Sequence, residues 1–75
     1  MVDNLEILQK LGFIIRQARK DKGLTMLELE VRSGINEGDI SKIENAKKKL
    51  AFTTLVKLAK GLDISLSDLL KDFES

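Results

Sequence analysis

The chain contains no cysteine and no histidine. The first absence excludes a disulfide framework, and the two together remove the side chains that zinc and other soft metals prefer. A chain of 75 residues forms at most one domain and buries only a small core. We therefore expect a fold stabilised by well-packed helices and by self-association, with no metal and no cofactor.

Proline is also absent, and no long uninterrupted apolar run occurs. Nothing marks a linker, a repeat or a low-complexity tract, so residues 1–75 are expected to form a single domain. Residues 1–7 are either flexible or part of an extended first helix. A membrane span needs roughly 20 consecutive apolar residues, and MVDNLEILQK lacks the basic-then-apolar order of a signal peptide. We expect an intracellular protein with no membrane partner.

Charge is balanced in sum, at +1, but uneven along the chain. Basic residues are concentrated between positions 10 and 22 and in the KKK run at positions 47–49, whereas acids are frequent from position 63 onward. A net charge near zero argues neither for nor against a nucleic-acid partner. The basic clusters are either a surface for a polyanion or simply solvated helix faces.

Apolar spacing and capping residues predict an all-α fold of five short helices. Each helix is defined by apolar residues three or four positions apart, by an N-cap residue, or by both. In chain order they are a helix with Leu8, Leu11, Ile15 and Ala18 that ends at Gly23; a second that starts near Thr25; a third of about ten residues that starts at Asn36 and contains Ile40 and Ile43; a fourth with Leu55, Val56, Ala59 and Leu62; and a fifth after Ser65 with Leu66, Leu69, Leu70 and Phe73.

The second and third predicted helices are short and closely joined. Thr25 and Glu28 have the spacing of a capping box, and Ser33 followed by Gly34 predicts a turn. Two short helices joined by a glycine-containing turn form a helix-turn-helix, whose second helix can enter the major groove of DNA. Most short helix pairs only build a core, so geometry alone leaves DNA binding open.

The order of features continues through most of the chain. LGFIIRQARKDKGLTMLELEVRSGINEGDISKIENAKKK, followed by TLVKLAKGLDISLSDLL, resembles the Cro and lambda-repressor-like (XRE-type) helix-turn-helix family between Leu11 and Leu70. The resemblance implies a compact five-helix domain that regulates transcription, with repression the expected role. It also implies a homodimer on a palindromic site in double-stranded DNA, and a bacterial or phage-type, nucleoid-associated protein of the cytoplasm. No small-molecule effector is evident.

The resemblance also assigns roles to individual residues. Arg19 and Glu44 match an ion pair that orients the recognition helix, which runs from about Asn36 to Asn45. The candidate DNA contacts lie at the start of helix two, along helix three and in the loop that follows it: Thr25, Asn36, Glu37, Gly38, Ser41, Lys42, Asn45, Lys47, Lys48 and Lys49.

Three positions depart from the pattern that the family usually shows. Met26 replaces a glutamine that contacts phosphate, Glu30 replaces an alanine between helices two and three, and Ala46 replaces a glycine. Glu30 is expected to reach water or a cation, Arg32 or Lys42. If Ala46 is left-handed the cost is up to about 1–2 kcal/mol, unless Asn45 adopts that conformation instead.

Two acids lie where the recognition helix would meet a polyanion. Asp39 follows Asn36 by three residues and is expected to close a reciprocal cap on it. Both acids also gain from the positive end of the helix dipole. Glu37 repels phosphate but can accept a hydrogen bond from cytosine N4, so we expect it to select a sequence rather than to add affinity.

Several apolar residues exceed what one small helical core needs. The candidates for a dimer contact are Phe13, Ile14, Leu27, Val31 and Phe73, and the alternative is a locally thicker core. The rival function is a protein-binding module that keeps the helix-turn-helix scaffold without contacting DNA. Without histidine, cysteine or a phosphate-binding glycine loop, an enzyme is not expected.

Overall fold

A computed structural model describes residues 3–74 as a helical domain. Its helices are α1 (Asn4–Asp21), α2 (Met26–Ser33), α3 (Glu37–Glu44), α4 (Phe52–Gly61) and α5 (Leu66–Leu70). No β-strand occurs between residues 3 and 74. The expectation of an all-α fold with five short helices is confirmed.

Helix α1 begins close to the amino terminus. The Asp3 side chain caps it by accepting a hydrogen bond from the Leu5 amide at 3.0 Å. Most of the segment 1–7 is thus the first turn of an extended α1, while Met1 and Val2 lie outside the described residues. The helix ends at Asp21, and Gly23 follows in a left-handed conformation with φ of 70°.

Helices α2 and α3 both start at the predicted cap residues. The Thr25 hydroxyl accepts from the Glu28 amide at 3.0 Å, and the Thr25 amide donates to the Glu28 carboxylate at 2.9 Å. The hydrogen bond that the Thr25 amide donates to the carboxylate is the main cause that lowers the pKa of Glu28. The stabilisation from this carboxylate is complete above its unfolded-state pKa and is lost as pH falls through the lowered folded-state pKa. Gly34 closes α2 with φ of 79°.

All five helices contribute to one core. The buried hydrophobic residues are Ile15, Leu29, Ile40, Ile43, Leu55, Leu58, Ala59, Leu62 and Leu69. Full burial of one such aliphatic side chain stabilises the fold by about 1.5–3 kcal/mol. Helix α3 packs between α1 and α2, and α2 in turn packs on α4. The recognition helix predicted from the sequence is therefore held from two sides.

Two glycines permit helices to approach backbone to backbone. A Cβ atom at Gly12 would lie 2.6 Å from the Ile43 carbonyl oxygen and 2.7 Å from that of Glu44. At Gly61 it would lie 2.8 Å from the Ser33 Cβ atom. Glycine inside a helix costs about 0.5–1 kcal/mol relative to alanine, and the close contact of α1 with the end of α3 explains why Gly12 is there.

The left-handed residue after α3 is Ala46, with φ of 58°, whereas Asn45 has φ of −97°. We expect Ala46→Gly to raise the free energy of unfolding by about 1 kcal/mol, since glycine adopts this conformation without a Cβ clash. Urea denaturation measures the change. The same substitution inside α1, Ala18→Gly, is the control and should lower the free energy of unfolding by about 0.5–1 kcal/mol. A destabilised Ala46→Gly variant would contradict the prediction.

Candidate nucleic-acid interface

Helix α3 divides cleanly into a buried side and an outward side. Ile40, Ile43 and Glu44 are buried. At 100° per residue, five other side chains share an outward sector of roughly 140°, which we call the exposed arc of α3: Glu37, Gly38, Ser41, Lys42 and Asn45. All are exposed except Ser41, which is half-buried. The exposed arc of α3 holds four of the five residues that the family resemblance assigns to the DNA-facing side of this helix; the fifth, Asn36, is the N-cap residue and lies outside the arc. Asn45, which the resemblance assigns to the loop after the helix, lies within the arc.

The C-terminal end of α3 is tied to α1 by a buried ion pair. Arg19 Nε donates to Glu44 Oε2 at 2.7 Å, and Arg19 Nη2 donates to Glu44 Oε1 at 3.0 Å. The remaining nitrogen, Nη1, donates to the Leu24 carbonyl at 2.8 Å. The hydrogen bonds to Glu44 raise the pKa of Arg19 against the opposing effect of burial. Arg19 thus joins α3 to both α1 and the start of the helix-turn-helix.

The first turn of α3 has a side-chain cap and a carboxylate that forms an ion pair with a lysine. The Asn36 Oδ1 atom accepts from the Asp39 amide at 2.8 Å. The Asp39 carboxylate accepts from Asn36 Nδ2 at 3.3 Å and pairs with Lys48 Nζ at 3.0 Å. The reciprocal cap was expected to include a hydrogen bond from the backbone amide of Asn36 to the Asp39 carboxylate, and this expectation is wrong. The carboxylate contacts the side chains of Asn36 and Lys48 instead. Its pairing with Lys48 links α3 to the loop that follows it.

Glu30 also behaves differently from expectation. Its carboxylate accepts a hydrogen bond from the Glu37 backbone amide at 2.6 Å, across the turn between α2 and α3. Within residues 3–74 neither of the expected cations, Arg32 or Lys42, pairs with Glu30; the carboxylate accepts instead from an amide that has no carbonyl partner within α3. Arg32 instead reaches the Gly61 carbonyl oxygen at a long 3.5 Å.

At the start of α2, two neighbouring positions offer DNA much less than the family pattern implies. The backbone amide of Thr25 is already occupied by Glu28, so only the exposed hydroxyl group has a hydrogen left to donate. Met26 is half-buried and packs against the core. A phosphate near this end of α2 would meet the Thr25 hydroxyl and the Glu28 carboxylate.

The loop after α3 carries the positive charge of the interface. Lys47, Lys48 and Lys49 are all exposed, and the Lys47 amide donates to the Lys42 carbonyl at 2.8 Å. Asn45 Nδ2 donates to the Ser41 carbonyl at 2.8 Å, which fixes the Asn45 side chain at the end of the helix. The lysine loop thus follows the C-terminal end of the exposed arc of α3, whereas Glu37 lies at the N-terminal end; Lys48 alone of the three pairs with an acid, Asp39.

The side chains proposed for a dimer contact differ in exposure. Val31 is 79%, Phe13 61% and Leu27 55% exposed. Ile14 is half-buried against the core. Phe73 is half-buried, with its ring 5.7 Å from Lys10 Nζ, at a favourable cation–π distance. Phe13, Ile14 and Phe73 line an open groove of about 880 Å³ beside α1 and α5.

The described residues contain neither a candidate metal site nor a helix that could span a membrane. Within residues 3–74, no three acids or other metal-ligating side chains are grouped so that they could hold a metal ion. None of the helices in this part of the chain is both long and apolar enough to cross a membrane.

The chain is similar to known regulators over most of its length. The family model described as "Helix-turn-helix" matches residues 15–69. The uncharacterized HTH-type transcriptional regulator y4dJ of Sinorhizobium fredii is 31% identical over 61 residues, which are 81% of this chain and 79% of that protein.

Solved structures of restriction-modification controller proteins have the same fold. Wild-type C.Esp1396I superimposes with a TM-score of 0.81 at 30% identity, covering 92% of this chain and 96% of that one. C.AhdI from Aeromonas hydrophila superimposes with a TM-score of 0.79 at 31% identity, covering 83% and 94%.

Proposed function

The chain belongs to the helix-turn-helix family of DNA-binding transcriptional regulators, which are not enzymes, and from this premise we propose that it is a homodimeric repressor of one palindromic operator. In this proposal α3, with its caps Asn36 and Asn45, is the recognition helix and lies in the major groove. The observation that carries the proposal is the exposed arc of α3, whose polar side chains contribute nothing to the core.

The basic side chains divide between two tasks. Lys42 is exposed on the exposed arc of α3 and donates to guanine O6 and N7. The exposed lysines at 47–49 follow the sugar-phosphate backbone and supply most of the affinity, together with the Thr25 hydroxyl. Because Lys48 is already paired with Asp39, it must exchange a carboxylate for a phosphate when DNA binds.

A dimer accounts for the apolar side chains that the single chain leaves uncovered. Phe13 and Phe73 line one groove, and we place the dimer contact there with Ile14 at its base. Leu27 and Val31, one turn apart on α2, form a second exposed apolar pair. A two-fold dimer places two recognition helices one DNA turn apart, roughly 34 Å, which requires a palindromic site.

Fluorescence anisotropy of mixed-sequence duplex DNA at several salt concentrations, followed by sequencing of the bound fraction, tests this function. We expect affinity to fall steeply as salt rises, because bound phosphates release counterions, and a palindrome to be enriched. Absence of binding even at low salt would contradict the proposal. It would favour the protein-binding alternative, for which the 79% exposure of Val31 is the supporting observation.

Glu37 gives a test of selectivity at a single side chain. Its carboxylate is exposed at the start of α3, where it repels phosphate and can accept from cytosine N4. We expect Glu37→Ala to bind mixed duplex DNA more tightly and to relax the choice at one base pair of the operator. Glu74→Ala, which removes the same charge near the carboxyl end, is the control and should leave base preference unchanged. Sharper selectivity in Glu37→Ala would refute this role.

A further inference from the structure

The recognition helix is fixed at both ends, but only one of the two ties matches the family pattern. At its C-terminal end Glu44 pairs with Arg19. At its N-terminal end the Glu30 carboxylate accepts from the Glu37 amide at 2.6 Å. Glu30 is the residue that replaces a family alanine, so this second tie belongs to this chain in particular.

The amide that donates to Glu30 is one of those that the helix itself leaves without a carbonyl partner. The first backbone N–H groups of an α-helix have no carbonyl partner within it. The Asn36 side chain accepts a hydrogen bond from the Asp39 amide. The Glu30 carboxylate accepts one from the Glu37 amide, which is the first amide of α3. A carboxylate at this position also gains from the positive end of the helix dipole.

The bond from Glu30 crosses the turn rather than remaining within α3. Within residues 3–74 it is the one hydrogen bond that joins a side chain of α2 to α3. Glu30 is half-buried, and its own carbonyl accepts the Gly34 amide at 2.8 Å, so its backbone is fixed in the last part of α2. The carboxylate therefore connects two helices through a short and constrained path.

We propose that Glu30 is a positioning residue for operator recognition: by holding the first amide of α3 against α2, it fixes the angle at which the exposed arc of α3 meets the bases. The inference rests on the proposed function and deepens it. Because the Glu37 amide is occupied, the N-terminus of α3 does not offer that donor to a phosphate. This end of the helix contributes to sequence choice and not to backbone affinity.

Selectivity and affinity should respond differently to the loss of Glu30. Base contacts require α3 at one angle, whereas phosphate contacts depend mainly on where positive charge lies. The lysine loop is held at the other end of α3, where the Lys47 amide donates to the Lys42 carbonyl at 2.8 Å, and this bond does not involve Glu30. Removing Glu30 therefore leaves the number of bound phosphates unchanged and lowers the ratio of operator affinity to mixed-duplex affinity.

Two variants separate the hydrogen bond from the charge. Glu30→Ala removes the acceptor, and alanine, the strongest helix former, keeps α2 intact. Glu30→Gln keeps an acceptor oxygen and loses the charge. Glu74→Ala removes an exposed carboxylate near the carboxyl end and is the matched charge control. Circular dichroism shows that all variants are folded before they are compared.

The first measurement is hydrogen exchange of single backbone amides by NMR, without DNA. In Glu30→Ala we expect faster exchange of the Glu37 amide and unchanged exchange of the Asp39 amide, which Asn36 still caps. Glu30→Gln and Glu74→Ala should exchange like the wild type. Unchanged exchange at Glu37 in the alanine variant would overturn the proposed tie.

The second measurement is the ratio of affinities for the recovered operator and for mixed duplex. We expect a loss on the order of tenfold in Glu30→Ala, the size of one lost charge-assisted hydrogen bond, with the salt slope unchanged and the ratio largely restored in Glu30→Gln. If the wild type selects no sequence, the proposed function fails and this inference fails with it. If the wild type is selective but Glu30→Ala is equally so, or Glu30→Gln is as poor as Glu30→Ala, the inference alone is overturned.

Discussion

Replacing Lys47, Lys48 and Lys49 together with glutamine should lower affinity for mixed duplex DNA by roughly two to three orders of magnitude per bound protomer near 0.1 M salt. Each phosphate that a lysine neutralises contributes about 0.9 to the steepness of the slope of log affinity against log salt. Loss of three such contacts therefore makes the slope shallower by about 2.7 per protomer. All three side chains are exposed in the loop after α3. Lys48 should contribute least, since Asp39 competes for it at 3.0 Å.

Anisotropy titrations from low to high salt measure both the affinity and its slope. The matched control replaces three other exposed lysines, Lys20, Lys57 and Lys60, which lie in α1 and α4. This control changes net charge equally and should leave most of the slope intact. Equal losses in both triple variants would mean that DNA responds to overall charge, and the loop would lose its assigned role.

Arg19→Ala should destabilise the fold by about 3–5 kcal/mol, because it leaves the Glu44 carboxylate buried without a counterion. Both side chains are buried, and the Leu24 carbonyl would lose its donor as well. A chain of 75 residues has a free energy of unfolding of roughly 4–11 kcal/mol in total. A loss of this size removes at least about a quarter of that stability, so the urea midpoint should fall sharply.

Urea denaturation followed by circular dichroism measures this loss. Arg16→Ala, an exposed arginine on the same helix, is the control and should change stability by no more than about 0.5 kcal/mol. Arg19→Lys should recover only part of the loss, since an ammonium group cannot reproduce the two parallel bonds to Glu44 and the bond to Leu24. A midpoint for Arg19→Ala equal to that of the wild type would contradict the prediction.

The helices were predictable because their signals are local. The N-caps at Thr25, Asn36 and Ser65 depend on residues only three positions apart, and all of them are present in the structure. The length of α3 was overestimated at about ten residues against the observed eight, because its flanking asparagines are caps and not helical residues. Periodicity and capping thus identified each element, while its ends depended on backbone conformation.

Contacts between elements were harder to predict. The family pattern indicated Arg19 with Glu44, and the structure forms that pair. It could not indicate the partner of Glu30, since the family alanine has none, and the amide that Glu30 accepts becomes available only when the turn places α3 beside α2. The pairing of Asp39 with Lys48 likewise requires the loop after α3 to fold back on the helix.

The division of α3 into a buried side and an exposed arc has a consequence for how such a protein can diverge. Side chains that determine packing and side chains that would face DNA belong to different residues of the same eight-residue helix. Surface substitutions away from caps and ties usually change stability by less than about 0.5 kcal/mol. Duplicated copies of this chain can therefore acquire new binding sites through changes at Ser41 or Lys42 while they keep the same fold.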